Sequence, residues 1–170
     1  MTGETPLIVV MGPTACGKST VGEALAATLG VPFVDGDALH PETNVAKMAA
    51  GVPLDDDDRW PWLDRVGAKL DDARSGGGAV VACSALKRAY RDRIRAAAPG
   101  ASFLELVLTP EEATRRSSSR VDHFMPASLV TSQFGTLEVL TADERGTRVD
   151  ATLPVTRIVA AAVDALGAGA

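Results

Sequence analysis

The run Gly12-Pro13-Thr14-Ala15-Cys16-Gly17-Lys18-Ser19 holds the most specific chemistry in the chain. It fits G-x-x-x-x-G-K-[ST], a pattern in which glycines let the backbone wrap until consecutive N–H groups face an anion. In such a loop Lys18 reaches the β- and γ-phosphates of a nucleoside triphosphate. The Ser19 hydroxyl ligates Mg²⁺, and Thr20 follows in the same first turn. Residues 12–20 are therefore the expected ATP site, with ATP and Mg²⁺ the expected cofactors.

A second constellation lies at Asp35-Gly36-Asp37-Ala38-Leu39-His40. Two carboxylates so spaced suit phosphoryl transfer, one organising the waters of Mg²⁺ and the other accepting a hydrogen bond from an acceptor hydroxyl. Asp and Gly are also turn residues, so the pair taken alone leaves a solvated turn equally open.

For these groups to act together, the chain must bring them to one edge of a sheet. Leu7-Ile8-Val9-Val10-Met11 is a continuous apolar run, the pattern of a parallel strand covered on both faces. Val21, Leu25 and Leu29 then mark one apolar face of a helix from Lys18 to Leu29, and Gly30 suits its end. Further strands are predicted at 32–35, 79–83, 102–108 and 148–150, and helices at 41–50, 57–75, 87–98, 126–140 and 154–166. Another helix starts at Thr109-Pro110-Glu111-Glu112, which reads as a capping box with proline at the first helical position. Alternating strands and helices imply an α/β fold with a parallel sheet and helices on both faces. Ligands in such sheets bind beyond the carboxyl ends of the strands, where both constellations fall.

Composition narrows the function. A chain of 170 residues is expected to form a single domain, here spanning 1–170. Its net charge of −5 offers no positive field for nucleic acid or an anionic membrane. The run Leu7–Met11 is too short for a membrane span and the N-terminus lacks a basic leader, so a cytoplasmic location is expected. Cys16 and Cys83 form no CxxC pair and are expected as free thiols, and His40 and His123 are too far apart to suggest a histidine zinc site. Val81-Ala82-Cys83 ends without the aspartate of a Walker B strand, and Asn44, the only asparagine, is not followed by the Lys-x-Asp of a guanine reader. A small-molecule kinase remains, with a regulatory module that holds ATP without turnover as the alternative.

Four strings occur together in order: Gly12–Ser19, Asp35–Leu63 with Asp58-Arg59-Trp60-Pro61-Trp62-Leu63, Ala82–Asp92 with Cys83-Ser84-Ala85-Leu86-Lys87, and Val121–Glu138. From Leu7 to about Glu138 the chain resembles the bacterial-type gluconokinases. The resemblance implies a three-layer P-loop NTPase fold similar to shikimate and nucleoside-monophosphate kinases. That fold has a five-stranded parallel sheet, helices on both faces and a mobile lid, here at about 115–125. It implies ATP-dependent phosphorylation of D-gluconate to 6-phospho-D-gluconate, with gluconate and ATP as partners and a homodimer as a possible assembly. It further implies that Asp37 orients the acceptor hydroxyl and that Asp35 is an outer-shell Mg²⁺ ligand. Arg59, Lys87 and Arg91 would be cationic contacts for the sugar acid, His40 would bond its hydroxyls, although alone it reads as a turn histidine near a helix start, and His123 would be a substrate contact from the lid. Arg116 and Arg120 would neutralise charge on the nucleotide and the transferring group. A guanidinium at Arg59 suits a carboxylate independently, although an intrahelical pair with Asp55 is the simpler alternative. Trp60 and Trp62 fit either a pocket wall or the core. The chain departs from the family pattern at Gly135 and at Val139-Leu140.

Overall fold

The computed structural model describes residues 3–119 and 127–167. Leu7–Met11 (β1) is buried along its whole length, as its unbroken apolar sequence predicts. It lies at the centre of a five-stranded parallel sheet, between Ala79–Ala82 (β3) and Ser102–Val107 (β4). Phe33–Asp35 (β2) and Gly146–Asp150 (β5) form the two edges. The helices are Lys18–Leu29 (α1), Glu42–Ala49 (α2), Asp56–Ala73 (α3), Arg88–Ala97 (α4), Pro110–Ser118 (α5), Ala127–Thr136 (α6) and Val155–Leu166 (α7). A 3-10 turn spans Gly36–Leu39.

The two-residue alternation of the strands divides the core. Ile8, Val10, Val80, Leu104 and Leu106 meet Val21 and Leu25 of α1 and Ile158 and Ala162 of α7. Leu7, Val9, Met11, Val81 and Phe103 meet Leu63, Val66 and Leu70 of α3 and Tyr90 and Ile94 of α4 on the other face. The order in which strands are added changes side at β1, which lies between β3 and β4, and this is the switch point beyond whose carboxyl ends parallel α/β sheets place their ligands.

Three local expectations need correction. The last helix before β5 stops at Thr136 instead of running to Leu140. Glu138 N–H instead donates to Leu86 O at 2.7 Å, and Leu140 N–H donates to the Glu105 carboxylate at 2.8 Å while its side chain enters the core. These contacts outweigh continued helix after Gly135. At Thr109 only half of the capping box forms: the hydroxyl accepts from Glu112 N–H, but the Glu112 carboxylate turns to Arg115 and Arg116. The complete box is at the start of α3, where Asp55 and Asp58 cap each other's backbone.

The third correction concerns Arg91, expected as an acceptor contact. Its side chain is fully enclosed, with Nε 2.7 Å from Glu144 Oε1 and Nη2 3.0 Å from Glu144 Oε2, while Nη1 donates to Ala85 O at 2.9 Å. It therefore braces the loop after β3 from beneath and does not face a ligand. Arg91→Ala is expected to cost about 3–5 kcal/mol of stability, because it strips a buried carboxylate of its main partner. Burial alone would raise the Glu144 pKa, but hydrogen bonds from Arg91, Thr141 N–H and Arg95 hold it down at about 2. A carboxylate so depressed contributes stability above its ordinary range and loses it as pH falls toward about 2. Thermal melts between pH 7 and pH 2 should thus show wild type and Arg91→Ala converging as the solution becomes acid.

Candidate active site

β1 leads directly into the phosphate loop. A Cβ at Gly12 would lie 2.8 Å from Cys16 Sγ, and the residue has φ +147°, so the turn out of the strand requires glycine. Gly17 then caps α1 in the left-handed conformation. Among the described residues only two non-glycines have positive φ, Ala15 at 66° and Ala85 at 45°, and they sit in the loops after β1 and β3. Lys18 is half-buried, and its ammonium donates to Gly12 O at 3.0 Å and Pro13 O at 3.1 Å, so it lies across the loop it serves. Thr14 N–H donates to Gln133 Oε1 at 2.5 Å, which ties α6 to the same loop.

The acceptor side is built on the other face. Asp35 Oδ1 accepts from Asp37 N–H at 3.0 Å and so starts the 3-10 turn that projects Asp37 beyond β2. The turn rests close on β3: a Cβ at Gly36 would fall 2.3 Å from Ala82 O. Trp62 Nε1–H donates to Gly36 O at 2.8 Å, and its indole stacks on His40 with ring centroids 4.1 Å apart. His40 Nδ1 takes a hydrogen bond from buried Asn44 at 3.2 Å, which leaves the ring proton on Nε2. Burial lowers the His40 pKa, opposed by Asp37 and assisted by Arg59, so the ring is neutral near pH 7 and lies within the fields of both.

Arg59 leaves α3 toward Tyr90 on α4. Its Nη1 donates to the Tyr90 hydroxyl at 3.0 Å and to Asp56 Oδ1 at 3.4 Å, not to Asp55. Lys87 Nζ lies 3.5 Å from Asp56 Oδ2, and both cations stand over the Tyr90 ring, at 5.6 Å for Arg59 and 5.5 Å for Lys87. With Nη1 turned inward, the Nε–Nη2 edge of Arg59 is the one that can meet a carboxylate in two parallel hydrogen bonds.

The two halves meet at Cys83, whose thiol burial pushes up to about 12. The Cys83 N–H donates to Val10 O at 3.0 Å, and a Cβ at Gly36 would lie 3.3 Å from the Cys83 Cβ, so the loop after β1 and the turn carrying Asp37 flank the same end of the sheet. On the α1 and α7 side, a cleft of about 350 Å³ opens beside the phosphate loop, lined by Ala15, Thr20, Arg116, Ala151 and Leu153 among others. Arg116 spans it, donating to Ala15 O at 3.4 Å and Ala151 O at 3.0 Å.

The structure thus brings residues 12–20, Asp35, Asp37, His40, Arg59, Lys87 and Arg116 to the carboxyl end of the sheet, and it places Arg91 in the interior. Arg120, His123 and most of the expected lid fall outside the described residues. Arg115, held by Glu112 and largely exposed, is a solvated helix-end cation. Asp56, Tyr90, Asn44 and Gln133 belong to the site's framework and were missed. Asp56 lay hidden in a four-aspartate run, and Tyr90 lies in the first turn of α4, three positions after the Lys87 that caps it.

A G-x-x-x-x-G-K-S loop after the central strand, with a carboxylate turn and a cation pair at the same end of the sheet, fits a P-loop kinase acting on a small molecule. Comparison with known proteins agrees. Residues 7–152 match the family described as AAA domain. A gluconokinase of Gluconobacter oxydans is 47% identical over 143 residues, covering 84% of this chain and 80% of that protein. The crystal structure of a gluconokinase from Sinorhizobium meliloti superposes with a TM-score of 0.87 at 46% identity, over 98% of this chain and 94% of the other. Shikimate kinase from Aquifex aeolicus, at 16% identity and TM-score 0.59 over 94% of this chain and 95% of its own, shares the fold alone. The chain belongs to the gluconokinase family of P-loop kinases.

Proposed function

We propose that this protein transfers the γ-phosphoryl group of ATP to D-gluconate, giving ADP and 6-phospho-D-gluconate. The observation that carries the reading is the Arg59–Lys87–Tyr90 cluster on the acceptor side of Asp37, opposite the phosphate loop. Two cations beside a hydroxyl-orienting carboxylate suit a hydroxy acid better than a neutral sugar.

In this mechanism the backbone N–H groups of the loop and Lys18 hold the β- and γ-phosphates, and the adenosine end lies toward the cleft spanned by Arg116. Ser19 is exposed in the first turn of α1, and Asp35 ends β2. Ser19 and Asp35 would hold a Mg²⁺ ion, the hydroxyl directly and the carboxylate through the ion's waters, a donor set suited to that cation. When bound, Mg²⁺ offsets negative charge on the β- and γ-phosphates. The gluconate carboxylate lies on Arg59 and Lys87, and its hydroxyls lie near His40 Nε2–H. The terminal hydroxyl oxygen bonds to the γ-phosphorus as the bridge to the β-phosphate breaks, and the hydroxyl proton passes to Asp37. Positioning and charge neutralisation supply most of the acceleration, because a loose transition state needs little covalent help. The enzyme works in the cytoplasm, as a dimer in keeping with the family resemblance. Among the described residues no helix is long and apolar enough to cross a membrane.

ADP release measured against a panel of gluconate, shikimate, glucose and other hydroxy acids tests the assignment. Gluconate should give the highest kcat/KM. Preference for another acid would reassign the acceptor, and no ADP with any of them would favour a non-catalytic nucleotide module.

A further inference from the structure

Asp56 occupies an unusual place for an acidic residue, inside the cation cluster that the proposed function assigns to an anionic substrate. Its carboxylate accepts a hydrogen bond of 2.5 Å from the Tyr90 hydroxyl, lies 3.4 Å from Arg59 and lies 3.5 Å from Lys87. The Tyr90 hydroxyl in turn accepts from Arg59. Tyr90 itself is only 3% exposed, so a rigid buried phenol fixes the carboxylate on the mouth of the site. That hydrogen bond, reinforced by Lys87 and Arg59, lowers the Asp56 pKa and keeps the group ionised at neutral pH. The cluster therefore holds two positive charges and one negative.

We propose that Asp56 is a specificity-determining residue: it leaves the Arg59–Lys87 pair with one net positive charge, so that a single carboxylate is favoured over dianionic oxyanions. This rests on the reading of the site as an acid acceptor site. An uncompensated arginine and lysine side by side would make a good phosphate or sulfate site, because both bind tetrahedral oxyanions well. Removing one negative charge strengthens attraction for a dianion by twice as much as for a monoanion. Asp56 thus excludes competing dianions at some expense in affinity for the substrate.

The test uses steady-state transfer at saturating ATP, with gluconate varied, sulfate as the competing dianion and chloride to hold ionic strength constant. Asp56→Asn keeps an oxygen for Tyr90 and removes the charge, and Asp56→Ser is a second neutral variant. In both, the sulfate inhibition constant against gluconate should fall by about tenfold or more relative to any change in the gluconate KM. Asp56→Glu should keep the wild-type ratio. If inhibition constant and KM move by the same factor, Asp56 merely supports Arg59 and the proposal fails. It fails also if sulfate competes only with ATP in every variant. A wild-type enzyme without turnover on gluconate would instead overturn the acceptor assignment itself, and this proposal with it.

Discussion

Asp37→Asn is expected to lower kcat by about two to four orders of magnitude, the range of general acid–base groups, while ATP affinity stays close to that of the unaltered enzyme. The substitution keeps the side chain's shape, so the 3-10 turn started by Asp35 and braced by Trp62 on Gly36 persists. What disappears is the charge proposed to orient the acceptor hydroxyl and to take its proton at the end of transfer. In a loose transition state that proton moves late, so much of the loss comes from orientation. Rapid-quench single turnovers and an ATP titration separate the possibilities. Near-normal transfer would remove Asp37 from the reaction, whereas loss of Mg²⁺·ATP binding would mean that Asp35 and Asp37 had been assigned in reverse.

Lys18→Ala should reduce transfer by about a thousandfold or more with little change in melting temperature. The ammonium is half-buried and, among the described residues, bonds to the Gly12 and Pro13 carbonyls of its own loop, so removal opens no core cavity and strips no buried carboxylate. Contrast with Arg91→Ala is instructive, since that arginine lies in the interior and its loss should act on stability first. Retained turnover in Lys18→Ala would overturn the assignment of the loop to ATP.

Residue pattern made the fold legible wherever one physical signal dominated. The unbroken run at β1, the spaced leucines of α1 and the proline-started helix at Thr109 each carry their own local cause. The end of α6 was not legible, because it depends on Glu105 and Leu86, which are far away in sequence and compete for backbone near Leu140. Arg91 was misread for the same reason. Its partner Glu144 lies 53 residues on, in a turn whose role only packing reveals. Asp56 was hidden differently: four adjacent aspartates look alike as a helix start, and only the arrival of Tyr90 from another helix singles one out.

The division of the core between two faces has an evolutionary meaning. The cleft spanned by Arg116 borders α1 and α7, whereas the proposed acceptor contacts come from the 3-10 turn, α3 and α4 across the sheet. Drift in α3 and α4 can therefore reshape the acceptor end while the donor end keeps its loop and its helix. A different acceptor can be met on the same phosphate-binding engine by revising these two packed helices, one charge at a time.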